Sequence, residues 1–210
     1  MSFPSSHPNS TGFTLIEMLV VISIFLIMTG VILANFPAFR DKAALDLLAQ
    51  EIAVTIRQAQ VYGIGTREAG SEFTSYGIYF DLGDTNLAKK AFYLYADKDA
   101  SKSFLPPVPL KNCSDSGASL GVDCIIEKFA ITGSAEIFDL KGCNSTSCSS
   151  LNSPSPPKLD IFFQRFYPEA IFPNTTGLSY VKIMIQSTRD ATRQKEIQVW
   201  STGQIVVANG

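Results

Sequence analysis

Residues 13–36 read FTLIEMLVVISIFLIMTGVILANF, an apolar stretch of 24 residues in which Glu17 is the only ionisable side chain. An α-helix of this length covers about 36 Å at about 1.5 Å per residue. That exceeds a hydrocarbon core of about 30 Å and leaves some length for tilt. A secretory signal peptide has an apolar region of only about 7–15 residues and a small-x-small cleavage site, and neither fits this stretch. The sequence therefore predicts one membrane-spanning helix over residues 13–36, retained as an anchor.

Glu17 requires a physical explanation, because a carboxylate in an apolar span costs a few kcal/mol unless it is paired or near the interface. It lies four residues after Phe13, about 6 Å along a helix axis. One explanation is a carboxylate that reaches the headgroups. The other is a charge retained to pair with a cation on another subunit.

Residues 12–17, GFTLIE, resemble the prepilin processing motif, with a Gly, then a Phe, then a Glu at the fifth position of the mature chain. The resemblance implies cleavage between Gly12 and Phe13 by a membrane-embedded prepilin peptidase and N-methylation of Phe13. It also implies that Glu17 attracts the N-terminal amine of a neighbouring subunit during assembly, which Coulomb attraction at low dielectric favours. Residues 1–12 are then a leader peptide, which departs from the family pattern in having neither Lys nor Arg.

The same resemblance implies a location and a set of partners. The expected location is the cytoplasmic (inner) membrane, crossed once, with the head on the periplasmic or extracellular side and the chain in a pilus or pseudopilus after assembly. The expected partners are other pilins or pseudopilins, prepilin peptidase, the inner-membrane assembly platform and membrane lipid, with no cofactor. The nearest strong cations, Arg40 and Lys42, follow the span, so the positive-inside rule does not itself predict this orientation.

Histidine usage argues against an enzyme. The single histidine, His7, lies in the leader, so the mature chain would have none. Hydrolases that use an imidazole base and metal sites that use imidazole ligands are thereby excluded. Since no pairing of nucleophile and base stands out, we expect a structural protein.

The four cysteines lie in the C-terminal half, in segments rich in Ser, Gly, Pro and Asn: Cys113, Cys124, Cys143 and Cys148. No C-x-x-C pair of the kind typical of zinc sites occurs, so two disulfides in an oxidising compartment are favoured over four free thiols. Three pairings are possible. Short loops favour Cys113 with Cys124 and Cys143 with Cys148.

Residues 37–63 predict an amphipathic helix that continues from the span into the head. Pro37 is expected to kink or locally break the helix, because it removes a backbone donor and clashes with the preceding turn. Beyond it, apolar residues recur at spacings of three and four, which marks one buried stripe: Leu45, Leu48, Ile52, Ile56 and Ala59. Gly63 and Gly65 provide the stop.

Residues 64–210 contain short runs of β-branched and aromatic residues broken by Gly, Pro, Asn and Asp, which is typical of strands. The predicted strands are Tyr76 to Leu82, Ala91 to Ala96, Cys124 to Ile131, Ala135 to Leu140, Leu159 to Phe166, Leu178 to Gln186, Glu196 to Trp200 and Ile205 to Ala208, with a turn over 201–204 before the last. The segments 101–123 and 144–158 are predicted to be irregular surface loops. We expect an α+β fold in which a mainly antiparallel sheet covers the amphipathic helix.

Two further segments are similar to the H-type minor pseudopilins of type II secretion and related minor pilins. They are residues 45–68, LDLLAQEIAVTIRQAQVYGIGTRE, and residues 196–210, EIQVWSTGQIVVANG. This similarity favours a minor over a major subunit, of a type IV pilus or a type II secretion pseudopilus. The middle of the head is not covered by it.

Two charged clusters suggest binding sites. Oxygen-rich loops can hold calcium, and four acids lie around a predicted hairpin: Asp81, Asp84, Asp97 and Asp99. The match to an EF-hand loop fails, so solvated turn acids are the simpler interpretation. Calcium at Asp97 and Asp99 is the alternative.

The second cluster is basic and would serve a DNA-uptake or adhesion receptor at a filament tip, the alternative to a structural role. It consists of Lys182, Arg189, Arg193 and Lys195. From Arg57 onward the chain has 15 basic and 15 acidic side chains, a net charge of 15 − 15 = 0. Such a balance offers little electrostatic affinity for phosphates, so DNA is not expected as a partner.

Overall fold

The computed structural model describes residues 12–65, 68–69, 72–73, 75–83, 89–104, 112–114, 122–151, 157–173, 175 and 177–209. The chain forms two compact units, Met1–Arg40 and Asp41–Gly210. The first unit contains the N-terminal part of one long helix, α1 (Leu15–Ile64). The second contains the rest of that helix and all the strands.

Helix α1 continues through Pro37 without interruption, so a local break is wrong, and the alternative of a kink at Pro37 stays a prediction. A proline inside a helix removes one N–H bond, to the carbonyl four residues earlier. The chain is helical on both sides of Pro37. The helix ends at Ile64, where the Gly65 N–H donates to the Val61 carbonyl at 2.8 Å, so the predicted stop is confirmed at Gly65, whereas Gly63 lies within the helix.

In the second unit, the predicted apolar stripe of α1 is buried. Leu45 and Leu48 are nearly inaccessible, and Ile52, Ile56 and Ala59 are fully so. Gly63 lies where α1 meets the strands, and a Cβ at this position would lie 3.0 Å from the Phe163 carbonyl oxygen. The absence of a side chain at Gly63 therefore permits a close approach of helix and strand.

The strands are β1 (Glu68–Ala69), β2 (Glu72–Phe73), β3 (Ser75–Asp81), β4 (Ala91–Asp97), β5 (Cys124–Ala130), β6 (Ala135–Cys143), β7 (Cys148–Ser150), β8 (Lys158–Phe163), β9 (Ala170–Ile171), β10 (Tyr180–Ser187), β11 (Gln194–Trp200) and β12 (Ile205–Asn209). The first sheet has the order β5-β4-β3-β8-β9 and the second β12-β11-β10-β6-β7. A third, two-stranded sheet pairs β1 with β2, and all the pairings between these twelve strands are antiparallel.

The α+β class and the eight predicted strands are confirmed, whereas the expectation of one sheet is wrong. The chain passes between two sheets three times, after β5, β7 and β9. A run of β-branched and aromatic residues reveals a strand but not its partner, because both sheets present an apolar face to the helix. The four unpredicted strands are two or three residues long. The fifth predicted strand ends early, and Phe166 lies in a turn at φ 68°.

The main apolar core joins α1 to both sheets. Ile52 and Ile56 of the helix belong to one buried cluster with Ile78 and Phe92 of the first sheet and Ile183 of the second. Complete burial of one such side chain stabilises the fold by about 1.5–3 kcal/mol.

The first sheet is covered on its other face as well. There the rings of Tyr79, Tyr93 and Tyr95 contact Phe104, and the Tyr95 and Phe104 centroids are 4.6 Å apart. This second layer explains why all seven residues of β4 are buried. Asp97 is two residues beyond Tyr95 and therefore belongs to the covered face.

Gln60 connects α1 to the turn between β11 and β12. Its buried side-chain amide donates to the carbonyls of Pro168, at 2.6 Å, and Gly203, at 3.1 Å. Gly203 has φ 83°, and a Cβ there would lie 2.1 Å from the Pro168 carbonyl oxygen and 2.4 Å from Gln60 Nε2. Only glycine fits this position.

We expect Gly203→Ala to lower the free energy of unfolding by roughly 2–4 kcal/mol, because backbone strain and overpacking add. Gly133 is a matched control, since it has φ 86° and a Cβ there would have no atom within 4 Å. Gly133→Ala should lower the free energy of unfolding only through backbone strain, by roughly 1–2 kcal/mol. Thermal melts of the full chain in detergent, followed by Trp200 fluorescence, measure both. Equal losses would contradict the close contact at Gly203.

Candidate functional site

The start of α1 is a capping box formed by Thr14 and Glu17. The Glu17 N–H donates to Thr14 Oγ1 at 3.2 Å, and the Thr14 N–H and hydroxyl both donate to Glu17 Oε2 at 3.0 Å. Reciprocal bonds of this kind satisfy backbone donors that a helix start leaves unpaired. The carboxylate of Glu17 thus stabilises the helix within its own chain, using one of its two oxygens.

The predicted cleavage point precedes the first helical residue. Gly12, Phe13 and Thr14 precede the helix, and the Phe13 side chain is 83% exposed. The Gly12–Phe13 peptide bond therefore lies outside helix α1. Residues 1–11 of the predicted leader lie outside the described residues.

The apolar side chains of the first unit are exposed along its length, from Phe13 to Phe39. By length and composition, α1 can cross a membrane, and no part of its most apolar segment is buried inside the protein. A water-soluble protein would bury such a surface, so this exposure requires a lipid or protein environment.

A second apolar line runs along the exposed face of α1 within the second unit. Leu47, Val54 and Val61 are spaced by seven residues and are 68%, 66% and 55% exposed. Seven residues are about two helical turns, so the three side chains lie on one face. This line, which we call the outer stripe, is distinct from the buried stripe that begins at Leu45.

Both disulfides lie in the second unit, with the pairs Cys113–Cys124 and Cys143–Cys148. They are the pairs that short loops favour. The first ties residue 113 to the beginning of β5, and the second closes the β6–β7 hairpin, in which Cys143 and Cys148 are cross-strand partners. The predicted irregular segment 144–158 therefore contains a strand.

The sequence-predicted acids are only partly brought together. Asp97 and Asp99 are joined by Asp123, and one carboxylate oxygen from each lies within 4.8 Å of the others. Asp81 instead pairs with Lys158 at 3.0 Å, and Asp84 lies outside the described residues. Burial raises the pKa of Asp97 to about 7, and its contact with Asp99 and the charge of Asp123 contribute in the same direction.

Another buried carboxyl lies on the same covered face of the first sheet. Asp160 is 2% exposed, and it accepts hydrogen bonds from the Tyr95 hydroxyl and the Phe104 N–H, both at 2.7 Å. Burial raises the pKa of Asp160 to about 7, although these two hydrogen bonds act in the opposite direction. A carboxyl without a cationic partner is less costly to bury in its neutral form.

The predicted basic patch is neutralised by carboxylates. Lys182 pairs with Glu196 at 3.0 Å, Arg193 with Asp190 at 3.0 Å and Arg189 with Asp41 at 3.7 Å, and Lys195 pairs with Asp46. An anionic ligand would have to displace these partners. The arrangement therefore does not favour the alternative of DNA binding.

Three residues of these sites were not identified from the sequence. Thr14 could have been, because T-x-x-E ahead of an apolar run is a capping-box pattern. Asp123 and Asp160 could not, because their partners are set by strand pairing across the first sheet.

Comparison with known proteins supplies a family signal for the N-terminus. A family model described as the prokaryotic N-terminal methylation motif matches residues 7–33, which include Gly12, Phe13 and Glu17. No curated protein and no solved structure matches the chain significantly. Together, the motif and the long apolar helix fit a single-pass membrane-anchored protein, and proteins with this motif are typically structural rather than enzymatic. The chain thus carries the type IV prepilin-like signal, which supports a type IV pilin-like protein.

Proposed function

We propose that this chain is a minor pilin or pseudopilin, a structural subunit of a type IV pilus or of a type II secretion pseudopilus. Residues 1–12 are removed by prepilin peptidase, and residues 13–36 hold the subunit in the inner membrane before assembly. The head, residues 64–210, then lies on the periplasmic or extracellular side. The observation that carries the proposal is the methylation motif at the start of an exposed apolar helix.

The hydrogen bonding of Glu17 is compatible with a role in assembly. Both bonds from Thr14 use Oε2, and among the described residues no hydrogen bond to Oε1 is formed. The carboxylate can therefore cap its own helix and accept the N-terminal amine of a neighbouring subunit at the same time. In an apolar surrounding, such an ion pair is stronger than in water.

The outer stripe supports assembly through the helix beyond the membrane span. Leu47, Val54 and Val61 lie outside residues 13–36, so lipid does not cover them in the proposed anchor. Packing against the helices of other pilins would remove these side chains from water, at about 25 cal/mol per Å² of apolar surface. A filament whose centre is built of helices provides such neighbours.

Mass analysis of the protein from native membranes tests the processing. We expect loss of residues 1–12 and a methyl group on the amine of Phe13. A parallel preparation from cells without the peptidase should retain the leader, which controls for unrelated proteolysis. Protein that retains Met1 in cells with an active peptidase would refute the proposal.

A further inference from the structure

The pairing of β4 with β5 places two buried carboxylates side by side. Ala96 of β4 and Cys124 of β5 are partners, so the next positions outward are Asp97 and Asp123. Asp99 follows in the turn after β4, and one oxygen of each carboxylate lies within 4.8 Å of the other two. Like charges opposite one another on neighbouring strands destabilise a sheet.

Burial increases this cost. Asp97 is 4% exposed and Asp123 is 2% exposed. The Oδ1 atom of Asp97 is buried and has no hydrogen-bond partner, and among the described residues neither Asp97 nor Asp99 forms an ion pair with Lys or Arg. A buried carboxylate oxygen without a donor is costly unless a cation or a proton neutralises it.

Backbone N–H groups satisfy other oxygens of the cluster. The Lys102 N–H donates to Asp97 Oδ2 at 3.3 Å, the Lys98 N–H to Asp123 Oδ1 at 3.2 Å and the Ser101 N–H to Asp99 Oδ1 at 2.8 Å. These bonds hold the three carboxylates in place. Asp97 Oδ1 is a buried carboxylate oxygen of this cluster that has no hydrogen-bond partner among the described residues.

The spacing and chemistry of the oxygens favour calcium. Calcium prefers oxygen ligands at about 2.3–2.6 Å, so two ligands on opposite sides of the ion are about 4.6–5.2 Å apart. The three oxygens lie within 4.8 Å of one another, so one calcium ion can reach all of them. Calcium also tolerates irregular geometry, whereas magnesium demands near-ideal octahedral coordination. Zinc favours nitrogen and sulfur ligands, which this cluster lacks.

We propose that Asp97, Asp99 and Asp123 bind one calcium ion, which stabilises the junction between the end of β4 and the start of β5. The ion would neutralise the buried acids and fix Asp123 beside the Cys113–Cys124 disulfide. Water or backbone carbonyls complete its six to eight ligands. The proposed calcium site contains no residue of α1, so the proposal does not depend on which filament the chain enters.

Thermal melts and direct binding measurements on the full chain in detergent, after treatment with EDTA, test this site. Calcium at 1 mM should raise the melting temperature by roughly 5 °C, the shift expected at a large excess over Kd for a chain of this size. Magnesium at the same concentration should produce a smaller shift. Equilibrium dialysis with radioactive calcium should give one ion per chain.

The exposed ligand Asp99 provides the informative variant, because its replacement leaves the buried pair intact. Asp99→Asn should retain the melting temperature in EDTA and bind calcium at least about tenfold more weakly, since one charged ligand is lost. Glu127→Gln on β5 is the matched control, an exposed acid outside the cluster, and should bind calcium normally.

Two results would overturn the site. One is no bound calcium in dialysis, combined with a melting temperature that depends on pH only, which would indicate that Asp97 and Asp99 share a proton instead. The other is the same calcium affinity in the wild type and in Asp99→Asn.

Discussion

Glu17→Gln is expected to reduce incorporation of the chain into filaments by at least about tenfold, although the start of α1 remains folded. Glutamine can replace glutamate in a capping box, so the hydrogen bonds with Thr14 are retained. What is lost is the negative charge that pairs with the amine of a neighbouring subunit. A tenfold reduction corresponds to only about 1.4 kcal/mol, which is less than the several kcal/mol available to a close ion pair at intermediate dielectric.

The measurement is the fraction of the chain found in sheared filaments relative to membranes, by quantitative immunoblot. Membrane abundance and leader removal serve as internal controls, since both precede assembly in the proposed sequence. Thr14→Ser is the matched variant, because serine keeps both the cap and the charge of its partner. It should be incorporated normally.

Comparison of Glu17→Gln with Glu17→Ala separates the two roles of this side chain. Alanine removes both the cap and the charge. Loss of the cap costs about 1 kcal/mol of stability, by analogy with other caps. If Glu17 only stabilises the helix, the glutamine variant will assemble like the wild type and only the alanine variant will fail. That result would contradict the assembly role but would leave the proposed processing at Gly12 untouched.

The stability of the head is expected to fall as pH rises from about 4 to about 7, with Asp160 as a principal cause. Its folded pKa of about 7 lies above the ordinary value of 3.8, so the folded state binds more protons in this interval than the unfolded state. The stabilisation that Asp160 contributes is fully present below its ordinary pKa and is lost as pH rises through its folded-state pKa. The loss from this group is at most roughly 4 kcal/mol, at about 1.4 kcal/mol for each pKa unit.

The groups that face Asp160 come from several elements. The Tyr95 hydroxyl and the N–H of Phe104 bind it, Ser103 also contributes a hydrogen bond, and the charge of Asp123 raises its pKa further. Asp97 also has a pKa of about 7 and changes stability in the same direction. Melts should therefore be recorded in EDTA, so that a cation at Asp97 does not alter the profile.

Asp160→Asn is expected to flatten this pH dependence, since asparagine does not titrate. The slope is the informative readout, because the amide also disturbs one of two hydrogen bonds and changes the absolute stability. Glu127→Gln, which removes an exposed carboxyl, should keep the wild-type slope. An unchanged slope in Asp160→Asn would show that this carboxyl is ionised in the folded state throughout the interval.

The amino-acid sequence determined the features that depend on neighbours along the chain. The apolar run predicts the span, and GFTLIE lies in the matched N-terminal methylation motif. The spacing of Leu45, Leu48, Ile52 and Ile56 established which face of α1 is buried, and short runs of β-branched and aromatic residues established eight strands. All of these patterns are local, so they can be read without knowledge of what they pack against.

Tertiary structure decided everything that depends on residues distant in sequence. Register across strands and packing against α1 determine three such features. The strands divide into two sheets, and Asp123 joins the acidic cluster. The basic side chains pair with Asp41, Asp46, Asp190 and Glu196. The physical reason is that a carboxylate acquires its burial, its partners and its pKa from the groups around it in space. The same residue type is a solvated turn acid at one position and a buried candidate ligand at another.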